Sequence, residues 1–511
     1  MASLHSRKNG GSNLRDSMSK KQNNGVEETL DRLSQLPDAL LVQILSLLPT
    51  KDAVASCVLS NRWRFLWYSI YNFHFINSNY KTENFIYFVD HVLTHCTSSK
   101  IKKFKLDFDY MSRWNFELET SRWINFAVER KVEDIILCSD DEELTYKLPL
   151  SIGNCSSLIT LNLSHWVFDK GLAIVWNSLK SLNLYLISLD DDDIVNLLSG
   201  CPALETLELS FFRGFSRLEI KSSNLKRLTL ASHWRPDAEN DGSLEIIAPY
   251  LQHLEISGNL YNLMCRLVDV SSLVNAKLTF NNKCIKGIGA LGTGGFDDEE
   301  ENCDYSHQVL RTLVQDYLHK LSYATELSIG NCFREVLCAL KFEGVPWVLI
   351  PDLKCKYLTL ELYIGKFNLH GVAGLLRASP HADTLNIDIA IMPYDSSCRC
   401  FESKYSAKGD NNDMESWISS YQFPNLKNVR IGISVGECLK YSFQWQLRKL
   451  FKLSEFLLKS STILEKFTIT SEKRKCKRCS MNCESRLLSQ LAEKLLGCAR
   501  SYANPVIIFQ E

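Results

Sequence analysis

The 511-residue sequence lacks several features that would assign it to a class at once. Its longest strongly apolar run, residues 39–48, falls far short of the roughly 20 residues that cross a bilayer. Neither sign of charge predominates, since 58 Lys and Arg residues stand against 59 Asp and Glu residues. This balance gives no general attraction to nucleic acid or to an anionic membrane. We therefore expect a soluble protein whose partners bind to local surfaces.

The first thirty residues also lack the apolar core of a secretory signal. They are polar and rich in Gly, Ser and Asn, which predicts a disordered tail over residues 1–30. The 18 cysteines are scattered through a long chain without such a signal, a pattern that favours reduced, mostly buried thiols over disulfides. We expect the cytoplasm, the nucleus or both as the location.

Three short helices are predicted near the N-terminus. Pro37 and Asp38 suit the start of the first, and its leucines form two rows, so that its apolar arc is too wide for one neighbour to cover. Thr50 is predicted to cap the second, which would place Val58 on its apolar face; the third would begin at Ser60 or Asn61. Three such helices cannot enclose this apolar surface among themselves. It must pack against the rest of the chain or a partner.

The stretch LPDALLVQILSLLPTKDAVASCVLSNRWRFLW resembles the F-box of plant F-box proteins nearly position for position. Burial within a larger helical domain would not by itself require its ordered Pro, Ser and Arg-Trp-Arg positions. The resemblance implies an F-box over residues 31–75 that docks on the Skp-type adaptor of a cullin-RING ubiquitin ligase. The matching contact or module-core positions are Leu36, Pro37, Leu40, Ile44, Leu48, Pro49, Val54, Leu59 and Trp63.

From residue 101 onward, the pattern apolar-x-x-apolar-x-apolar recurs thirteen times. In a strand its last two apolar residues face one side, whereas residues such as Asn162, Glu208 and Thr229 face the other. Each copy is then half of a core that neighbouring copies complete, and most early spacings lie in the 20–29-residue range of leucine-rich repeats. The copies start at residues 101, 132, 158, 179, 204, 225, 251, 273, 324, 355, 382, 426 and 464.

The repeats resemble the irregular leucine-rich repeats of plant F-box proteins: the Asn or Cys expected after each strand is mostly absent, although Asn259 fits. Amphipathic helices ending in Leu-Leu precede some copies, as at Leu197 and Leu198. Together they predict an α/β fold, a right-handed solenoid with a parallel sheet on its concave face over residues 76–415, interrupted by a disordered insertion near residues 284–305.

Residues 416–511 resemble the FBD domain that follows the repeats in many plant F-box proteins. The segments FPNLKNVRI, LSEFLLKSSTILEKFTIT and CARSYANPVIIF carry this resemblance. We interpret the region as a cap that shields the apolar edge of the last repeat.

Sites for metals, cofactors and catalysis receive little support. Cys476, Cys479 and Cys483 have ligand-like spacing, and Cys398 and Cys400 could contribute, but no fourth ligand lies near the first three and the surrounding residues are basic. GIGALG, residues 287–292, lacks the helix that a dinucleotide site needs and precedes a run of acids. Residues 190–193 suit an acidic helix start capped by Asp190. We predict no metal, no cofactor and no catalytic residues.

The resemblance makes a substrate-recognition subunit of a ubiquitin ligase the leading hypothesis. The F-box would bind the Skp-type adaptor, and through it the cullin, while the repeats hold an unknown protein substrate. An interaction scaffold without ligase function and a small-molecule receptor, like the hormone-sensing plant F-box proteins, are the alternatives.

Overall fold

A computed structural model describes most of the chain from residue 33 onward. The ranges described are 33, 35–77, 82–108, 117–139, 146–233, 243–261, 263–282, 312–330, 351–363, 369–391, 422–435, 438, 443–471, 482–497 and 505–510. The disordered tail and the insertion near 284–305 that the sequence predicts therefore lie outside the described residues.

One sheet of fifteen strands, all pairing in parallel, runs through the molecule. Each of the thirteen repeat copies forms one of its strands, which confirms the repeat prediction, and a strand is added at each end. In sheet order the strands are β1 (Asn72–Asn77), β2 (Lys103–Phe108), β3 (Asp134–Ser139), β5 (Thr160–Ser164), β7 (Ser181–Tyr185), β8 (Thr206–Phe212), β10 (Arg227–His233), β12 (His253–Tyr261), β14 (Asn275–Asn282), β15 (Glu326–Ile329), β16 (Tyr357–Tyr363), β17 (Thr384–Ile391), β18 (Asn428–Val435), β19 (Lys466–Ser471) and β20 (Val506–Gln510).

The apolar positions of each copy stack into continuous rows because the strands pair without offset. Leu161, Leu182 and Leu207 are direct partners on neighbouring strands, and all three are fully buried. The intervening residues Asn162 and Glu208 are half-buried on the opposite side, as the alternation predicts. We call that side the open face of the sheet.

The alternation breaks at one fixed place in five successive copies. The residue seven positions after the first apolar residue has positive φ in each: His165, Leu186, Phe211, Ser232 and Gly258. A left-handed residue turns the backbone, so the following side chain points inward where simple alternation would leave it outside. The residues that follow the first three are buried: Trp166, Ile187 and Phe212.

Those inward residues occupy the position of the consensus Asn of a leucine-rich repeat. Large apolar or aromatic side chains therefore stand where the consensus repeat has an Asn side chain. Asn259, which the sequence offered as a fit, is exposed, and the buried residue beside it is Leu260. The interpretation of Asn259 as a consensus Asn is therefore wrong for its side chain.

Helices fill several of the connections between strands. In the helix Asp191–Ser199, Leu197 is buried and Leu198 is partly buried against the core, as the amphipathic pattern predicts. Residues 312–320 form a further helical segment. The bounds are α1 (Asp38–Leu45), α2 (Thr50–Ala55), α3 (Thr82–His95), α4 (Glu117–Glu129), α5 (Asp191–Ser199), α6 (Leu369–Arg377), α7 (Phe443–Ser460) and α8 (Cys483–Leu496), with 3-10 helices at Ser56–Val58, Trp63–Ser69 and Leu150–Asn154.

In the middle of the array a second sheet replaces the helices. Three short parallel strands, β9 (Arg217–Glu219), β11 (Ser243–Ile247) and β13 (Met264–Asp269), lie in consecutive connections and pair with one another. Their inward residues Leu218, Ile246 and Leu267 are buried. A two-stranded pair, β4 (Tyr146–Lys147) and β6 (Trp166–Val167), completes the strands.

Candidate functional site

The N-terminal module, residues 36–70, is tied to the first strand of the sheet by two hydroxyls. The backbone N–H of His74 donates to Thr50 Oγ1 at 2.7 Å, and that of Tyr71 donates to Ser46 Oγ at 3.3 Å. Thr50 is fully buried and is the first residue of α2, whose N-cap is Pro49. The prediction that the Thr50 hydroxyl caps this helix is therefore wrong, because that hydroxyl accepts from β1.

The apolar side chains on one side of the module are buried by the rest of the chain. Leu41 and Leu45 of α1 are at most 1% exposed, and Trp63, Leu66 and Trp67 of the following 3-10 helix are buried in the same core. The ring of Trp67 lies 6.2 Å from that of His91 on α3. Of the two roles that the resemblance allows Trp63, the structure gives it the internal one. The module is thus continuous with the repeat array.

The other side of the module is apolar and uncovered. Leu40 and Ile44, four residues apart on α1, are 46% and 37% exposed, and Leu48 and Leu59 are also exposed. Sequence reasoning passed over Leu47 at 79% and Val58 at 83%, which are more exposed than any of these. We call this set the outer apolar patch: Leu40, Ile44, Leu47, Leu48, Val58 and Leu59.

Val58 departs from its predicted place on the buried face of the second helix. The α-helix ends at Ala55 and the chain tightens into a 3-10 turn over Ser56–Val58. A 3-10 turn has three residues per turn instead of 3.6, so a residue counted at α-helical spacing rotates off the expected face. Ala53, three residues into α2, keeps its predicted burial.

Of the remaining adaptor-binding positions predicted by resemblance, three lie at or just before the helix starts and Val54 lies near the end of α2. Pro37 and Pro49 are the N-caps of α1 and α2, with Pro37 exposed and Pro49 half-buried. Leu36 and Val54 are half-buried against the core. These four residues border the module without dominating its exposed surface.

Arg62 fastens the end of the module to its beginning. Its Nε donates to Asp38 Oδ1 at 2.8 Å, and its guanidinium also contacts the carbonyl oxygen of Leu36. These bonds hold the start of α1 near the Trp63 helix, which fixes the orientation of Leu40 and Ile44 relative to the core.

The open face of the sheet carries paired charges that come from distant parts of the sequence. Lys277 on β14 contacts Glu255 on β12 at 3.1 Å and Glu361 on β16 at 3.7 Å. Arg430 on β18 contacts Asp388 on β17 at 3.8 Å. The face is therefore polar and charged, in contrast to the outer apolar patch.

Residues 190–193 form the predicted acidic helix start, whereas most of the cysteines considered as metal ligands lie outside the described residues. Asp190 and Asp193 form a reciprocal capping box at the start of α5, with Asp190 Oδ1 accepting from the Asp193 N–H at 2.8 Å. Among residues 33–510, in the parts that the structure describes, no group of three metal-ligating side chains converges. The GIGALG segment, residues 287–292, lies outside the described parts, as do Cys398, Cys400, Cys476 and Cys479. Cys483, in the first turn of α8, is buried.

Comparisons with known proteins identify both parts of the chain. A family model described as F-box domain matches residues 33–75, and one described as FBD-associated F-box protein At5g56370, LRR repeats, matches residues 120–276. The Putative F-box/LRR-repeat protein At3g18150 of Arabidopsis thaliana is 32% identical over 365 residues, which cover 71% of this chain and 73% of the relative. The chain belongs to the F-box/LRR-repeat family.

Other F-box/LRR-repeat relatives from the same plant extend the likeness. F-box/LRR-repeat protein At3g03360 is 30% identical over 71% of each chain, and F-box/LRR-repeat protein 13 is 27% identical over 86% of this chain and 90% of the relative. Neither family match extends beyond residue 276, so the FBD-like assignment of residues 416–511 stays a prediction. In the structure, β18, β19 and β20 continue the same parallel sheet. No helix in the described part of the chain has the length and apolarity to span a bilayer.

Proposed function

We propose that this F-box/LRR-repeat protein is the substrate-recognition subunit of a Skp-cullin-F-box ubiquitin ligase. The F-box binds the Skp-type adaptor, and the repeat array holds a target protein near the ubiquitin-charged enzyme. Its contribution to the reaction is proximity, since holding two reactants together raises their effective concentration. Ubiquitin transfer itself belongs to other subunits.

The outer apolar patch carries this proposal. Six large apolar side chains within twenty residues are exposed, while Leu41 and Leu45 on the other row of α1 are buried in the core. Contiguous exposed apolar surface on a soluble protein marks an interaction site. We assign the adaptor contact to Leu40, Ile44, Leu47, Leu48, Val58 and Leu59, bordered by Leu36, Pro37, Pro49 and Val54, with Trp63 supporting them from inside.

The open face supports the second half of the proposal. It extends over fifteen strands and presents half-buried polar and charged residues, the composition of a surface that recognises a partner by electrostatic complementarity. The target is a protein, because the surface is far larger than a small ligand requires.

The proposal places the protein in the cytoplasm or nucleus. Several thiols of the described residues, those of Cys57, Cys96, Cys155, Cys201, Cys265 and Cys355, are free, and free thiols persist in reducing compartments. Localisation of a fluorescent fusion of the full chain tests this part directly.

The decisive experiment is reconstitution of the complex. The full chain, co-expressed with a Skp-type adaptor and cullin, is expected to co-elute with both in size-exclusion chromatography and to be captured through a tag on the adaptor. A folded, monodisperse chain that never recruits the adaptor at micromolar concentration would instead be an interaction scaffold. Ubiquitylation of a bound target by the complete ligase then separates a receptor from a decoy.

A further inference from the structure

A cavity of about 490 Å³ opens on the open face between β14 and β19. Its charged lining residues are Glu361, Asp388 and Arg430, and hydroxyls of Thr279 and Thr470 lie around them. This volume falls within the range of about 300–1,000 Å³ that is typical of ligand sites. We call it the charged cavity.

The repeat register brings the carboxylates together. Glu361 and Asp388 are direct partners on β16 and β17, and the next residue in the same row is Gly432 on β18. A Cβ at Gly432 would lie 2.8 Å from Asp388 Oδ1, closer than real Cβ contacts, so the carboxylate leans over the glycine. Gly432 contributes no side chain to the cavity floor at this point.

The neighbouring cations, Arg430 in the cavity lining and Lys277 beside Glu361 on β14, leave both carboxylates incompletely neutralised. Lys277 is shared, lying 3.1 Å from Glu255 but 3.7 Å from Glu361, and Arg430 approaches Asp388 only to 3.8 Å. Both longer distances exceed those of a charge-assisted hydrogen bond, about 2.7–2.9 Å. The carboxylates can therefore each accept a closer cationic donor.

Burial raises the pKa of Glu361; Lys277 opposes this shift and Asp388 adds to it. The charged form of Glu361 is thus disfavoured in the protein as it stands, and a cation seated between Glu361 and Asp388 would relieve that cost.

We propose that the charged cavity binds a lysine or arginine side chain presented by the target polypeptide. This inference rests on the proposed function of the array as a target receptor and names the chemistry that it reads. The cavity opens to solvent on a continuous sheet face, so the backbone that carries the cationic side chain can lie across the neighbouring strands. The hydroxyls of Thr279 and Thr470 can then bond to that backbone.

A random dodecapeptide library displayed on phage, panned on the immobilised full chain, tests the proposal. We expect the selected peptides to be enriched in Lys or Arg. Synthetic versions, measured by fluorescence anisotropy, should lose at least tenfold in affinity when that residue becomes norleucine. They should lose at least as much against Glu361→Gln combined with Asp388→Asn.

Two further variants separate charge from fold and from space. Glu245→Gln removes a carboxylate in a similar ion pair, 3.7 Å from Arg266 on the second sheet, and should leave peptide affinity unchanged. Gly432→Val keeps the charge but displaces the Asp388 carboxylate that leans over the glycine, and it should weaken binding as the carboxylate variants do. Peptides without basic residues, or equal binding to the double variant and to Glu245→Gln, would overturn the proposal.

The source of the cation is tested by competition. Free Nα-acetyl-lysine amide should compete only at concentrations far above those of the peptide; competition at equal concentration would make the site one for a small organic cation and overturn the polypeptide assignment. Adaptor capture is measured on the same preparations. Capture without peptide binding contradicts this inference alone, whereas peptide binding without capture contradicts the ligase assignment alone.

Discussion

Replacing Leu40, Ile44 and Leu48 together by alanine removes part of the outer apolar patch and should weaken adaptor binding. The three side chains are 46%, 37% and 40% exposed, so roughly half of each is available to a partner. Full burial of a Leu or Ile side chain stabilises by about 1.5–3 kcal/mol. Half of that is about 1 kcal/mol per residue, or about 3 kcal/mol for the triple variant.

A loss of this size corresponds to a Kd about 100-fold weaker. Isothermal titration calorimetry of the full chain with the purified adaptor measures it. The other half of each side chain is buried within the module, so chemical denaturation of the same variant should show a loss of folding stability of comparable size, about 3 kcal/mol.

Leu41→Ala, on the neighbouring row of the same helix, is the matched control. Leu41 is fully buried, so this change should cost about 2–5 kcal/mol of folding stability. Leu41→Ala therefore matches the triple variant in lost stability but leaves the exposed patch intact. If the triple variant bound the adaptor with unchanged affinity, or if folded Leu41→Ala lost as much affinity as the triple variant, the assignment of the outer apolar patch would be wrong.

Three other predictions concern the interior. Thr50→Val leaves the His74 N–H unpaired and should lower the free energy of unfolding by about 1–3 kcal/mol, whereas Thr50→Ser keeps the hydroxyl and should cost less in denaturant titration. Burial, helped by Lys105, lowers the pKa of His74 below 6.5, so stability should fall as the pH drops below 6.5 and the unfolded chain takes up the proton. His74→Gln should flatten that acid limb in thermal melts; an unchanged slope would contradict the assignment. Burial raises the pKa of Cys201 and Cys265 to about 12, so iodoacetamide at pH 8 should label neither in the folded chain, as peptide mass mapping can check.

The repeat strands could be predicted from the sequence because their signal is local. Apolar residues two positions apart can share a strand face whatever the neighbours are, so LETLEL at residue 204 and LEKFTI at residue 464 both indicate a half-buried strand. The three-stranded sheet of β9, β11 and β13 could not be predicted, because its strands are stabilised by pairing between distant segments. Arg217–Glu219 is only three residues long and gains stability from pairing with Ser243–Ile247, which no local pattern reveals.

The charged cavity could not be foreseen from the chain either. Lys277 and Glu361 are far apart in sequence, and they meet because β14, β15 and β16 stack in register. The numbers of acidic and basic residues are almost equal over the whole chain, so composition does not indicate a charged site. The pairing of the strands brings two carboxylates together beside a glycine.

The sequence alone determined that α1 carries two apolar rows, since that follows from residue identity and helical spacing. The sequence did not determine which of the two rows is buried in the core of the protein and which stays exposed. Packing against the Trp63 helix decided this by burying Leu41 and Leu45 and leaving Leu40 and Ile44 in solvent. The physical reason is that burial depends on what lies opposite a side chain, and tertiary structure sets the partner opposite each row.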